Sequence, residues 1–410
     1  MILRLRNLKR SIFTELAIPA SKSISNRCLI IQALSDKEFE IRNLAPSSDT
    51  ILMKDALSND GSELNLQNAG TTFRFLTAYM SLVGREVTLT GTDDMKRRPI
   101  GPLVDALKQL GASIDYLEKE NYPPIKINSN KLHGFKASVS ANISSQYVSA
   151  LLLIAPCLPN GLELELKGEI LSRPYLEMTI ALMKEYGVEV AWNSNTLMVQ
   201  PQKYIAKNTV IEGDWSSASY WYGLAALSDE AKITLKNLST KSVQGDKVVA
   251  EMMKEFGVDT IENGDLVIKK AKDFKPKENL SFDFRQYPDL ALTVAVVAAG
   301  LGVNCELTGL HALPIKESDR LQAVCTELQK LEYDCSIIND NALQVKASKP
   351  ILEPKELVNT YHDHRIALAF SLLNFEHRYL EIEEPDVINK SYPNYWNDLK
   401  EAGFDLKFYD

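Results

Sequence analysis

The chain has 410 residues, 45% of them hydrophobic and 24% charged, with a formal net charge of -8. That length allows two or three domains, each with a sizeable core. The acidic balance excludes a dedicated nucleic-acid binder, so any anion must be held by a focused group of cations rather than by the overall field.

The first residues, Met1-Ile-Leu-Arg-Leu-Arg6, alternate as a strand does and lack a signal-peptide core. This strand pattern ends at Pro19, and a helix is predicted from Ile24 to about Leu34, with Ser21 or Ser23 as its N-cap. Lys22 and Arg27 are then placed on its first turn. Cations favour the other end of a helix, so two of them here point to an anion between them; a solvated basic turn is the bland alternative. The cysteines, Cys28, Cys157, Cys305, Cys325 and Cys335, form no CxxC pair and no zinc-spaced cluster, which suits buried thiols in a reducing cytosol. The longest apolar run, Leu290 to Val303, is too short to span a bilayer. A cytoplasmic protein is expected.

One pattern recurs along the chain: an amphipathic helix ending near Lys-x-x-Gly, a strand, a short turn and a second strand. It starts at Leu103, Leu182, Met252 and Leu328, closes the chain from Leu399, and leaves a worn copy at Leu52 to Leu57 with Gly61. Gly111, Gly187, Gly257 and Gly403 are the helix C-caps, where a left-handed residue is needed, and Glu332 is the exception. Ahead of each copy lies a more apolar helix with a polar start. The six starts are at Ser21-Lys22-Ser23, Asn68 to Thr71, Ser144-Ser145-Gln146, Asp214 to Ser217, Tyr287-Pro288-Asp289 and Asp363-His364-Arg365. After the first gap they recur about every 70–75 residues, which implies six repeated supersecondary units. Apolar helices must be wrapped by other elements, so they are expected inside, with sheets outside. Units packed in one sense would aim several helix N-termini at one face, and two such domains face to face would make an anion-binding cleft. Each polar start also reads as an ordinary cap. Capping does not account for Lys22, Arg27, Arg98, Arg320, Arg365 and Lys390 at such junctions.

Ten stretches, in order, carry a family resemblance: Ser21-Lys-Ser-Ile-Ser-Asn-Arg27, Leu66-Gln-Asn-Ala-Gly-Thr-Thr-Phe-Arg74, Arg98-Pro-Ile-Gly101, Ser144-Ser-Gln-Tyr147, Ser172-Arg-Pro-Tyr175, Glu212-Gly-Asp214 with Ser216-Ser-Ala-Ser219, Pro288-Asp289, Ile315-Lys-Glu-Ser-Asp-Arg-Leu321, Asp363-His-Arg365 and Lys390-Ser-Tyr-Pro393. With them the sequence resembles the 5-enolpyruvylshikimate-3-phosphate synthases. The resemblance implies an α/β fold of two domains, an inside-out barrel of six βαβαββ units, three per domain. One domain would be 20–212; the other would be 1–19 with 213–410. It also implies transfer of the enolpyruvyl group of phosphoenolpyruvate to the 5-hydroxyl of shikimate 3-phosphate, with release of phosphate, by a monomer needing no metal or organic cofactor and with no nucleic-acid or membrane partner.

The same resemblance distributes the roles. Asp289 is the base for the 5-hydroxyl, Glu317 the proton donor to the methylene carbon, and Lys22 a third catalytic group. Around phosphoenolpyruvate it sets Lys22, Asn68, Gly70, Thr71, Arg98, Gln146, Arg320, His364, Arg365 and Lys390. Around shikimate 3-phosphate it sets Lys22, Ser23, Arg27, Ser144, Ser145, Gln146, Ser172, Tyr175, Asp289 and Lys316. The residue types fit: Arg offers a planar fork to phosphate or carboxylate, Lys a point charge, and glycine a close approach of backbone N–H. Asp289 otherwise reads as an N-cap opening the helix Leu290–Ala299, and His364 as a structural histidine. A Glu acting as acid among cations needs burial, or a proton relayed through Lys22.

Two departures stand out. Between Asp49 and Asn68 the chain is about 25 residues short of the family pattern, so the first unit should lack its outer hairpin. His311-Ala-Leu-Pro314 also lacks an Asn that many relatives carry there. The rivals are the sister transferase acting on UDP-N-acetylglucosamine, which uses a cysteine on a Gly-rich loop, and a catalytically silent anion binder. No cysteine here lies in such a loop, and Lys22, Asp289 and Glu317 are all present.

Overall fold

The computed structural model describes residues 1–6, 9–348 and 350–410. Strands β1 (Ile2–Arg6) and β2 (Ser11–Ala17) come first. Then follow α1 (Lys22–Leu34), β3 (Ile41–Arg42), α2 (Ser48–Ser58), β4 (Glu63–Asn65), α3 (Gly70–Val83), β5 (Val87–Thr90), α4 (Asp93–Lys96), α5 (Gly101–Gln109), β6 (Ile114–Tyr116) and β7 (Ile125–Ile127). Next are β8 (Lys136–Ser140), α6 (Ser145–Ile154), β9 (Leu162–Lys167), α7 (Arg173–Glu185), β10 (Ala191–Asn193), β11 (Thr196–Val199) and β12 (Thr209–Val210). The remainder holds α8 (Trp215–Leu227), β13 (Glu230–Lys236), α9 (Val249–Met252), β14 (Val258–Asn263), β15 (Asp265–Lys270), β16 (Asn279–Asp283), α10 (Ala291–Leu301), β17 (Asn304–Thr308), α11 (Arg320–Lys330), β18 (Asp334–Ile338) and β19 (Ala342–Lys346). It closes with α12 (His364–Phe370), β20 (Leu380–Glu383), α13 (Tyr395–Glu401) and β21 (Asp405–Tyr409).

The chain parts into two compact units, Ser21–Ile211 and Met1–Ala20 with Glu212–Asp410. Each holds two four-stranded sheets of one design. A parallel pair (β4/β5, β8/β9, β2/β13 or β16/β17) is linked by a crossover containing a helix, as parallel strands require, and between β2 and β13 that crossover also carries the whole unit Ser21–Ile211 ahead of α8. A second helix leads to a hairpin, whose second strand adds antiparallel to the pair. Each unit also has one irregular sheet. In Ser21–Ile211 it is the two-stranded β12/β3, because the chain runs from α2 to β4 without the hairpin. In the other unit β20, β1 and β21 form a three-stranded sheet, so the first strand of the chain completes the last repeat.

The helices behind these sheets form the cores. All seven residues of α12 are buried, as is every residue of α8 except Ser216 and the run Ala291–Ala299 of α10. Such helices show no polar face because sheets and other helices surround them. The buried Leu, Ile, Val and aromatic side chains of these helices contribute about 1.5–3 kcal/mol each, so the fold tolerates polar substitutions on sheet surfaces far better than on these helices.

Several details differ from the sequence expectations. α1 begins at Lys22, so Arg27 lies on its second turn, not its first. Asp289 sits in a single 3-10 turn, Pro288–Leu290, and α10 starts only at Ala291. The helix expected before Gly257 is mostly 3-10, with Val249–Met252 its one α turn. Glu332 is no exception in conformation: its φ of 63° is left-handed like the 77° of Gly257. What requires glycine at 257 is the Phe274 ring, whose Cγ would lie 2.4 Å from an added Cβ.

Candidate active site

In Ser21–Ile211 the polar helix starts hold one cluster. Ser21 caps α1 by accepting from the Ile24 N–H, which sets Lys22 at the first helical position. Lys22 Nζ lies 3.3 Å from Oδ2 of the buried Asp49, in the first turn of α2. α3 starts at Gly70, and an added Cβ there would lie 2.7 Å from Arg74 Nη1 and from both terminal nitrogens of Arg98. Two guanidinium groups thus converge on one α-carbon at a helix N-terminus, where backbone donors and the helix dipole already favour an anion. Arg98 Nη1 donates to the Asn68 side-chain oxygen (3.3 Å), and Arg74 Nη1 to Gln146 Oε1 (2.6 Å). Gln146 Nε2 donates to Thr71 Oγ1 (3.0 Å). Asn68, Gly70, Thr71, Arg98 and Gln146 are therefore brought together in one cluster.

Ser144 and Ser145 adjoin Gln146 of this cluster. Ser144 caps α6 through the Gln146 N–H, and Ser145 opens the helix. Ser172, ahead of α7, is left-handed at φ 56°, a conformation costing about 1–3 kcal/mol in a non-glycine residue and typical of functional turns. Arg27 occupies a different setting. Its Nε donates to Thr179 Oγ1 (2.7 Å), Nη1 to the Ser23 carbonyl (2.9 Å) and Nη2 to Ser149 Oγ and the Tyr175 carbonyl (3.3 Å each). Burial pulls its pKa down to about 10. Arg27 ties α1 to α6 and α7, and so fixes Ser23 and Tyr175.

The second cluster lies within the other unit and is built around Asp289. Its Oδ1 is 3.2 Å from Arg320 Nη1 and 3.4 Å from Lys316 Nζ, and its Oδ2 is 3.0 Å from Arg365 Nη2. Burial alone would raise its pKa, but Arg365, Lys316 and Arg320 outweigh burial and hold the carboxyl well below the usual range. Arg320 is almost fully buried and serves three carboxylates. It meets Asp289, Glu317 (2.8 Å) and, through two bonds of 2.7 and 3.1 Å, Asp363. Burial opposes the charge of Arg320, yet Asp363, Glu317 and Asp289 raise its pKa, so it stays a cation. Lys390 Nζ is 3.9 Å from Glu317. Arg365 also donates to Tyr220 OH (3.4 Å) and Ser216 Oγ (3.3 Å). The His364 ring is buried, with Nδ1 3.5 Å from Asp363 Oδ1.

Sequence reasoning missed Arg74, Asp49 and Asp363. Arg74 stands one helical turn from Gly70, a spacing that puts both on one face. Asp363 was legible only as a cap and Asp49 only as the edge of a shortened segment, because a carboxylate's cationic partner lies far off in sequence.

The family model of EPSP synthase (3-phosphoshikimate 1-carboxyvinyltransferase) matches the chain over residues 8–64 and 57–399. The chain belongs to the EPSP synthase family. Its two matches meet at 57–64, where α2 passes straight into β4 and the first repeat has no hairpin. A 3-phosphoshikimate 1-carboxyvinyltransferase of Bacteroides fragilis (strain YCH46) is 45% identical over 391 residues, 95% of each chain. One of Shewanella halifaxensis is 34% identical over 425 residues, covering 96% of this chain and 98% of its own. Among solved structures, the EPSP synthase of Acinetobacter baumannii superposes with a TM-score of 0.77 at 20% identity over the whole of both chains. The enolpyruvyl transferase NikO of Streptomyces tendae does so at 0.75 and 14%, over 99% of this chain and 98% of its own. These likenesses show the fold: the α/β enolpyruvyl transferase architecture with its repeated βα units.

Proposed function

We propose that this EPSP synthase family member transfers the enolpyruvyl group of phosphoenolpyruvate to the 5-hydroxyl of shikimate 3-phosphate and releases phosphate. Asp289, ringed by Lys316, Arg320 and Arg365, is the observation that carries the reading, beside 45% identity to a carboxyvinyltransferase over 95% of the chain. Arg320, Arg365, Lys390, His364, Lys22, Asn68, Gly70, Thr71, Arg98 and Gln146 serve phosphoenolpyruvate. Ser23, Arg27, Ser144, Ser145, Ser172, Tyr175 and Lys316 serve shikimate 3-phosphate, Arg27 by holding Ser23 and Tyr175 in place.

Asp289 takes the proton of the 5-hydroxyl as its oxygen attacks the central carbon of phosphoenolpyruvate, and Glu317 gives a proton to the methylene carbon. In the second half a methyl proton returns to Glu317, and phosphate departs with the proton that Asp289 had taken, so both carboxylates end as they began. A carboxylate with so low a pKa is a weak base. When the anionic substrates engage Arg320, Arg365 and Lys316, those cations stabilise Asp289 less and its basicity rises toward the task. Glu317 is one-tenth exposed, so the same transfer of cationic charge to substrate lets burial favour its protonated form. Lys22 neutralises phosphate charge. The enzyme works as a monomer in the cytoplasm, consistent with five free cysteines and, among the described residues, no helix long and apolar enough to cross a membrane.

The test is phosphate release with both substrates present, and with UDP-N-acetylglucosamine as competing acceptor. Release that requires shikimate 3-phosphate supports the reading. Release with the nucleotide sugar in its place refutes it.

A further inference from the structure

Glu327 is fully buried in the last turn of α11 and takes no part in either cluster. Its carboxylate receives the Lys330 ammonium (2.7 Å) and two donors from the segment ahead of α12: the Asn359 N–H (3.1 Å) and Tyr361 OH (2.6 Å). Lys330 also donates to the Asn359 side chain (3.0 Å). That segment, 359–363, is held a second time at its other end. There Asp363 grips Arg320, the first residue of the same helix, and caps α12 by accepting from the Arg365 N–H (2.9 Å). Between the two anchorages Tyr361 and His362 are both left-handed, with φ of 54° and 55°. Two consecutive non-glycine residues in that region persist only where their surroundings over-determine them. A buried carboxylate is costly unless it is fully bonded, and here its bonds reach the strained turn and a neighbouring lysine.

We infer that Glu327 is a positioning residue: it clamps the left-handed turn at Tyr361 and His362 so that Asp363, His364 and Arg365 are delivered to the Asp289 cluster. The chain of contacts is continuous. Glu327 holds Asn359 and Tyr361; the turn sets Asp363; Asp363 orients Arg320 and starts α12; and α12 carries Arg365 to Asp289. This rests on the proposed function, since it assigns an effect on phosphoenolpyruvate through Arg320 and Arg365.

The test compares wild type, Glu327→Gln, and Glu327→Gln with His362→Gly. Glycine adopts the left-handed turn without a clamp. His362 faces solvent beside Glu384, so His362→Gly alone leaves turnover unchanged. Glu327→Gln is expected to raise KM for phosphoenolpyruvate about tenfold while KM for shikimate 3-phosphate changes by less than about twofold. Adding His362→Gly should restore most of that loss, which a packing role would not. Should Glu327→Gln fail to fold, Tyr361→Phe removes one clamp donor without a cavity and should raise the same KM about threefold. An unchanged KM, or a raised KM that glycine leaves as it was, overturns the inference. Wild type without turnover would instead overturn the function, a result the same assay reports separately.

Discussion

The two cation clusters are built differently. Around Asp289 the positive groups are already matched by carboxylates: Arg320 meets three of them, and Lys316, Lys390 and Arg365 each face one. Around Gly70 the guanidinium groups meet amides instead, Arg74 the side chain of Gln146 and Arg98 that of Asn68, beside a helix start. The first arrangement holds its cations in place before substrate arrives and suits proton transfer, because substrate binding changes the charge felt by its carboxylates. The second offers fixed donors to an anion and suits binding. Catalytic loss should therefore follow removal of carboxylates in one cluster, and loss of affinity should follow crowding in the other.

The largest effect is expected from Asp289→Ala, with turnover falling about 10³-fold. Affinity for phosphoenolpyruvate should hold or tighten, because three cations lose a competing anion; steady-state kinetics and calorimetry would check both. Weakened phosphoenolpyruvate binding with near-normal turnover would break the comparison. Glu317→Gln should lower turnover about 10²-fold, again with little change in KM for shikimate 3-phosphate. In the amide-lined cluster, Gly70→Ala places a methyl group against Arg74 and Arg98. KM for phosphoenolpyruvate should rise about tenfold while kcat falls less. A Gly70→Ala enzyme with intact affinity would mean the two arginines are not held where they meet that carbon.

The smallest effect concerns acid. The folded pKa of Asp289 is depressed, so its contribution to stability is fully present above the unfolded value of about 4 and is lost as pH falls below it. Thermal melts from pH 6 to pH 3 should show wild type losing more Tm than Asp289→Asn. Parallel melting curves would show that the cations do not stabilise this carboxylate.

The repeat was legible because its helices alternate polar starts with apolar bodies, and the three-plus-three arrangement came only with the family resemblance. Lys22, Arg320 and Arg365 were legible because a cation at a helix start is locally unfavourable and therefore informative, and Arg98 because it stands just ahead of one. Asp363 was not, because an aspartate before a helix is locally favourable and its bonds to Arg320 add nothing to that pattern. Arg27 shows a related limit: its motif fixes its identity, but only packing reveals that its donors hold three helices together. The third repeat's helix was misjudged because good helix formers in Met252–Phe256 are overridden by the tight path from Gln244 to Gly257.

Strand β1 carries one more consequence. Leu3 and Leu5 are fully buried, and their strand is bonded on both sides to segments from the far end of the chain. The body from Ser21 to Ile211 has all its strands once residue 211 has left the ribosome, whereas the other body cannot seal its third sheet until β21 emerges. Folding can therefore start with the body from Ser21 to Ile211, and β1 has to wait for β20 and β21 to complete its sheet.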